Sequence, residues 1–377
     1  MSVTSRIFLS PPYVGAAERR AVGAAFDSNY IAPCGPQVDE FERRLAKLSG
    51  RKYAVALTSG TAALDLLMDE LRVDKSWTVI APTLAFIATV GPAYQRGAKG
   101  EFVDCDETGN IDVSLLETAL KANTSSPKHP NTQTPQYPNT RILVIGVDLY
   151  GNCCDYKAIA KLCRAYKATF ICDSAESVGS RRDGCPSGSC GLAAIYSFNG
   201  NKVVTTSGGG ALVTDSKGVA FRAKKRAQQS REAVLWYEHK EVGHNYRLSN
   251  LLAAVGVAQL GRLPEILKKR AATAKWYARL CGARMLAPVP GSNNWLNVIV
   301  LDTRRERDAL LKRFAAADIE ARPVWKPMHL QPVFAKCRVY GGEVAEALFA
   351  CGACLPSGTG LTATDRKRIA AVLKDFI

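Results

Sequence analysis

The chain has 377 residues, 47% of them hydrophobic, enough to bury a sizeable core and too apolar for disorder along its whole length. Fifty lysines and arginines against 34 aspartates and glutamates leave a net charge of +16. Such a surface attracts anions, whether nucleic acid, acidic lipid or a phosphorylated small molecule, and charge alone does not choose among them.

In chain order, helix-period segments are predicted over Gln37–Leu48, Thr61–Leu71, Val113–Leu120 and Asp155–Tyr166, the last opened by Asp155 as N-cap. Between and after them, short runs rich in β-branched residues predict strands at Tyr53–Leu57, Trp77–Ala81, Glu101–Val103, Ile142–Val147, Thr169–Cys172, Ala194–Phe198 and Ala211–Thr214. This βαβ rhythm, with continuously apolar strands such as Ile142–Val147, predicts an α/β fold whose mostly parallel sheet is covered on both faces. Residues 122–140 hold four prolines and no apolar period. They read as an exposed loop, either a plain connection or a substrate lid. A basic helix over Glu265–Leu280, a strand at Leu296–Leu301 and helices at Glu306–Phe314 and Thr364–Leu373 complete the pattern. The expected division is a large α/β domain over 1–245, linking helices over 246–282 and a smaller α+β domain over 283–377, with the extreme N-terminus packing on the small domain.

The twelve cysteines fall mostly in apolar runs and read as reduced thiols. Cys351 and Cys354 form a lone C-x-x-C without a second ligand pair, so no metal site is expected. The first residues lack a long apolar core, and no run of about 18 apolar residues occurs. A soluble, cytoplasmic protein without a membrane partner is the expectation. Basic groups such as Lys224, Lys225 and Arg226 lie on helix-type segments among acids, and no nucleic-acid-binding module is legible, so no nucleic-acid partner is expected either.

The chemistry concentrates at strand ends. After the first strand, Ser59-Gly60-Thr61-Ala62-Ala63 is a small-residue turn opening a helix, where free N–H groups, the helix dipole and the two hydroxyls form an anion cradle. Another strand ends at Asp173. A third is followed by Asn199-Gly200-Asn201-Lys202 and the glycines Gly208–Gly210. In open α/β sheets ligands bind at this edge. An anion site, a carboxylate and a lysine together are what pyridoxal phosphate needs for its phosphate, its pyridine nitrogen and its Schiff base.

At these residues the chain resembles the sugar aminotransferases of the DegT/StrS family. The ordered strings are Ser28-Asn29-Tyr30-Ile31-Ala32-Pro33 with Gly35-Pro36, Ser59 to Leu64, Pro82-Thr83 with Phe86 and Ala88-Thr89, Asp173-Ser174-Ala175-Glu176, Ser197 to Lys202 and Gly243-His244-Asn245-Tyr246-Arg247. The resemblance spans essentially the whole chain. It implies an aspartate-aminotransferase-like fold, the type I fold of pyridoxal-phosphate enzymes, with a seven-stranded sheet and a smaller C-terminal domain. It also implies pyridoxal 5'-phosphate as cofactor. Lys202 would carry the Schiff base and shuttle the proton, and Asp173 would keep the ring nitrogen protonated. Phe86 would stack on the ring, Ser59, Gly60, Thr61 and Ser197 would hold the phosphate, and Glu176 would stand near the phenolic oxygen. Asn245 would reach across from a partner subunit, which implies a homodimer with composite sites. Asn29, Tyr30, Arg247, Lys326 and His329 are the residues expected to contact substrate. His329 and Lys326 have a second reading as caps of a loop. Asp148 departs from the histidine common at that position in the family.

Because Lys202 is present, amino transfer is implied rather than dehydration. The strings Arg322 to Gln331 and Cys354 to Thr359 resemble the branch that aminates UDP-4-keto-6-deoxy-N-acetylhexosamines, as in bacillosamine synthesis. The implied substrates are therefore a UDP-linked keto sugar and glutamate. The alternatives are a differently linked keto sugar, such as a dTDP-sugar, or a non-catalytic regulator on the same fold.

Overall fold

A computed structural model describes residues 6–124 and 141–377. Helices α1 (Ala16–Asp27) and α2 (Pro36–Ser49) precede an alternation of β1 (Tyr53–Leu57), α3 (Gly60–Leu71), β2 (Trp77–Pro82), α4 (Gly91–Gln95), β3 (Lys99–Val103), α5 (Val113–Thr124), β4 (Arg141–Val147), α6 (Tyr156–Ala165) and β5 (Thr169–Asp173). A small hairpin of β6 (Arg181–Arg182) and β7 (Cys185–Pro186) leads to β8 (Ala193–Ser197) and β9 (Gly210–Thr214). Next come α7 (Lys217–Ala227), α8 (Asn250–Gly261), α9 (Leu263–Cys281), β10 (Asn297–Val300), α10 (Arg304–Ala316) and β11 (Arg322–Pro323). The chain closes with β12 (Arg338–Tyr340), α11 (Glu343–Cys351), β13 (Gly352–Leu355) and α12 (Ala363–Leu373).

The large sheet runs β1-β9-β8-β5-β4-β2-β3-β12, and within it only the pairings of β9 with its two neighbours are antiparallel. It has eight strands, not the expected seven. The additional one, β12, comes from the C-terminal part of the chain and adds to β3 as a parallel edge. Three residues, Arg338-Val339-Tyr340, are too few to show a period of two, which is why the strand is silent in the sequence. The apolar run of β4 behaves as expected of a doubly covered strand. Ile142 and Val144 pack into one core, and Leu143, Ile145 and Val147 into another on the opposite face. The predicted cap of α6 forms, with Asp155 Oδ1 accepting from Ala158 N at 2.9 Å.

A second, antiparallel sheet, β10-β13-β11, packs with α9, α10 and α12 around Tyr277, Ile299, Leu310, Phe314 and Leu355. The first described residues join it: Ile7 N donates to Asp318 O at 3.1 Å and Glu320 N to Ile7 O at 2.8 Å. The expected loop over 122–140 needs correction at its start. Helix α5 continues through Thr124, whose hydroxyl donates to Leu120 O at 2.8 Å, because the first proline comes only at position 127. The rest of that string, 125–140, lies outside the described residues. All twelve cysteines are free, and Cys34 is exposed. Among the described residues no helix is long and apolar enough to cross a membrane.

Candidate active site

The register of the sheet aligns the chemistry on one edge. Leu57, at the end of β1, pairs with Gly210, and Gly210 pairs with Ser197 at the end of β8. Asp173 ends β5 between Val147 and Ile195. A cavity of about 980 Å³ opens at this edge and is lined, among others, by Ser59, Gly60, Thr61, Phe86, Asp173, Glu176, Ser197, Lys202 and Lys326.

The cradle is built by helix geometry. Ser59 caps α3, its Oγ accepting from Ala62 N at 3.0 Å, so its own hydroxyl proton stays available to an anion. The N–H groups of Gly60 and Thr61, in the first turn, have no intrahelical acceptor and carry the positive end of the dipole. Two glycines permit the packing. A Cβ at Gly210 would stand 2.2 Å from the Ser59 carbonyl carbon, and one at Gly60 would meet Ile195, Ser197 and the Tyr196 carbonyl at 3.3 Å. The sheet therefore presses directly on the peptide that forms the anion site.

Asp173 is 6% exposed; its Oδ2 accepts from Thr89 Oγ1 at 2.6 Å and its Oδ1 from Ala175 N at 3.2 Å. Burial raises its pKa, while these hydrogen bonds and the charge of Lys202 pull the other way. Glu176, equally buried, accepts from Tyr150 N at 2.7 Å through Oε2 and faces Lys202 Nζ at 3.3 Å through Oε1. Burial pushes its carboxyl up to about 7, with Lys202 opposing. Lys202 Nζ also lies 3.9 Å from the centroid of the Trp295 ring. Phe86 is 58% exposed in the cavity and meets Trp325 at 5.8 Å between centroids.

Five expected residues do not line the cavity of their own chain. Asn245 is exposed and its backbone bridges Gln228. Asn29, with φ of 59°, and Tyr30 are exposed, and the Tyr30 carbonyl accepts from Asn250 Nδ2. Arg247 lies beside Leu57 through a backbone bridge, and its Nε is buried without a hydrogen-bond partner among the described residues. His329 is held in the protein fabric, its Nδ1 2.6 Å from Thr83 Oγ1 and its Nε2 3.0 Å from Glu346 Oε1. This arrangement favours its reading as a loop cap. Asp148 is buried as a hub: Tyr156 OH, Ser174 Oγ, Ser177 Oγ and Cys154 N all donate to it, and its own N–H donates to Asp173 O at 3.1 Å. Thr89 stands in one of the family strings but had no role assigned to it from sequence, and neither had Tyr150 nor Trp295, because their contributions arise between segments distant in the chain.

A model of the DegT/DnrJ/EryC1/StrS aminotransferase family matches residues 12–374. The chain belongs to this family. Among relatives, a Bacillus subtilis (strain 168) protein, EpsN, provisionally named a pyridoxal phosphate-dependent aminotransferase, is 40% identical over 98% of this chain and 95% of its own. A GDP-perosamine synthase of Caulobacter vibrioides is 33% identical over the full length of both. A Campylobacter jejuni UDP-4-amino-4,6-dideoxy-N-acetyl-beta-L-altrosamine transaminase is 35% identical over 64% of this chain and 61% of its own. Among solved structures, Helicobacter pylori PseC, an aminotransferase involved in the biosynthesis of pseudoaminic acid, superposes with a TM-score of 0.87 at 25% identity over 99% of each chain.

This family member is a pyridoxal-phosphate-dependent aminotransferase of nucleotide sugars, with the type I fold of such enzymes. The donor set fits the cofactor: an N–H cradle for a phosphate, a buried carboxylate for a ring nitrogen, and an amine in the same cavity. Among the described residues no cluster of His, Cys, Asp or Glu is suited to a metal ion.

Proposed function

We propose that the enzyme transfers an amino group from glutamate to the C4 keto group of UDP-4-keto-6-deoxy-N-acetylglucosamine, as a cytoplasmic homodimer, in cell-surface glycan synthesis of the bacillosamine type. The observation that carries the chemistry is the convergence of Lys202, Asp173, Glu176 and the Ser59 to Thr61 cradle on one cavity. The cofactor, when bound, supplies the carbonyl that takes up the amino group and the ring that spreads the resulting charge. Lys202 Nζ is placed to hold it covalently and then, once released, to move a proton at the reacting carbon. Asp173, an acceptor enclosed in protein, holds the ring nitrogen in its protonated form. Glu176 Oε1 keeps the lysine oriented. Lys326, exposed on the cavity wall, offers a charge to the carboxylates or phosphates of the two substrates.

Support for the UDP-linked hexosamine comes from the strings Arg322 to Gln331 and Cys354 to Thr359 and from the altrosamine transaminase relative. The GDP-perosamine synthase relative supports a second reading, a keto sugar on another nucleotide. The homodimer reading is supported by the exposed positions of Asn245, Asn29 and Tyr30 outside their own cavity. Leu235 and Tyr237, on the segment leading to Asn245, are also almost entirely exposed. The division into 1–245, 246–282 and 283–377 is part of the same proposal.

The test is a panel of UDP-, GDP- and dTDP-linked 4-keto-6-deoxy sugars incubated with the loaded enzyme and ¹⁵N-glutamate, the products being weighed by mass spectrometry. Label should enter the UDP-N-acetyl sugar fastest. Faster labelling of a GDP or dTDP sugar would replace the substrate, and no labelling of any of them would support the non-catalytic alternative.

A further inference from the structure

Beyond Glu176, further groups hold Lys202 at its Nζ and at the peptide leading into it. Its Nζ lies between Glu176 Oε1 at 3.3 Å and the face of the Trp295 indole at 3.9 Å. The two jaws are tied to each other. Asn293, itself buried, donates through Nδ2 to the Glu176 carbonyl at 2.8 Å, and through Oδ1 accepts from the Trp295 N–H at 2.9 Å. The peptide leading into Lys202 is held as firmly. The Asn201 carbonyl accepts from Trp295 Nε1 at 2.7 Å and from Ser10 Oγ at 2.9 Å.

Behind both donors stands Arg270, 1% exposed and, among the described residues, without a carboxylate partner. Its guanidinium donates to the Trp295 carbonyl at 2.9 Å, to the Ser357 carbonyl at 3.1 Å and to Ser10 Oγ at 3.2 Å. Burying an arginine on neutral acceptors alone is costly. Burial indeed lowers its pKa to about 10. A core site of this kind would be filled more stably by an apolar residue, so what the arginine contributes is the placement of the groups it binds.

We infer that Trp295 is the positioning residue of Lys202, holding its ammonium by the ring face and its backbone by the indole N–H, and that Arg270 braces Trp295 and Ser10 in that arrangement. The inference rests on Lys202 being the residue that carries the cofactor, yet it concerns the lysine before anything is bound. An aromatic face attracts the charged amine and covers it on one side, so removing the ring should leave Nζ more open to acylation. The other charged groups facing Nζ are Glu176 and Asp173, which act in the same direction. Arg322 and Lys326 line the exposed part of the cavity.

The experiment is pulse labelling of the full-length chain, freed of cofactor, with acetic anhydride across a pH series, reading Lys202 by peptide mass spectrometry. Trp295→Leu should raise labelling of Lys202 several-fold at each pH of the series, whereas Trp295→Phe, which keeps an aromatic face, should stay near wild type. Unchanged labelling of Lys202 in Trp295→Leu overturns the inference. Should that variant fail to fold, tryptophan emission of the wild-type chain decides instead. A shift of emission in Lys202→Met relative to wild type at the same pH upholds the contact, and an unchanged spectrum refutes it. Borohydride mapping of the loaded protein separately tests whether Lys202 carries the cofactor, so the two claims fail independently.

Discussion

Replacing Glu176 with glutamine should remove the pH dependence that this buried acid imposes on the fold. Its carboxyl is raised from the ordinary 4.5 to about 7, chiefly by burial. The folded chain therefore holds a proton that the unfolded chain has released between those two values, and stability falls as pH rises through that window. The accumulated cost above pH 7 is about 3 kcal/mol at 1.36 kcal/mol per pH unit. Glutamine keeps the acceptor for Tyr150 N and carries no charge at any pH. Urea denaturation of the cofactor-free chain at pH 5 and pH 8 should show the variant gaining on wild type by roughly 2–3 kcal/mol between the two conditions. Any loss from the severed contact with Lys202 would be common to both. A difference between wild type and variant that does not change with pH would refute the assignment of Glu176 as a buried, proton-binding group.

Asp173→Asn should lower the rate of the glutamate half-reaction by orders of magnitude while leaving cofactor affinity within about tenfold, because an amide still hydrogen-bonds to Thr89 but holds no positive ring nitrogen; stopped-flow absorbance against equilibrium dialysis separates the two. Gly210→Ala should displace the Ser59–Gly60 peptide, costing about 2 kcal/mol of stability and most of the phosphate affinity, since the new Cβ would fall 2.2 Å from the Ser59 carbonyl carbon; thermal unfolding with and without pyridoxal phosphate measures both. Homodimers of Lys202→Ala mixed with a bulky Asn245 variant should recover about a quarter of wild-type activity if Asn245 serves the partner's site, and none if it serves its own.

The α/β rhythm and the three strand ends were legible because each is local. Apolar runs of five or six residues announce a doubly covered strand, and the turn Ser59-Gly60-Thr61 announces a helix start with open N–H groups. Asp173 and Lys202 could be placed on one edge since both follow such runs. What was not legible depends on contacts between segments far apart. β12 joins β3 across more than two hundred residues, and three residues carry no readable period. His329 stands within a string that resembles substrate-binding segments, yet Thr83 and Glu346 engage both of its ring nitrogens. Trp295 sits 94 positions from the carbonyl it holds and Ser10 sits 191 away, and Arg270 looked like one more basic residue of a solvated helix. A lone buried arginine has no signature in sequence, because burial is a property of what packs over it.

The most direct test of the account is reduction of the loaded enzyme with borohydride, followed by peptide mapping. One phosphopyridoxyl group per chain should appear, on Lys202, and be lost in Lys202→Ala, whose intact Ser59 to Thr61 cradle still binds the cofactor without a covalent bond. A stable adduct on any other lysine, or an undiminished adduct in Lys202→Ala, would contradict it.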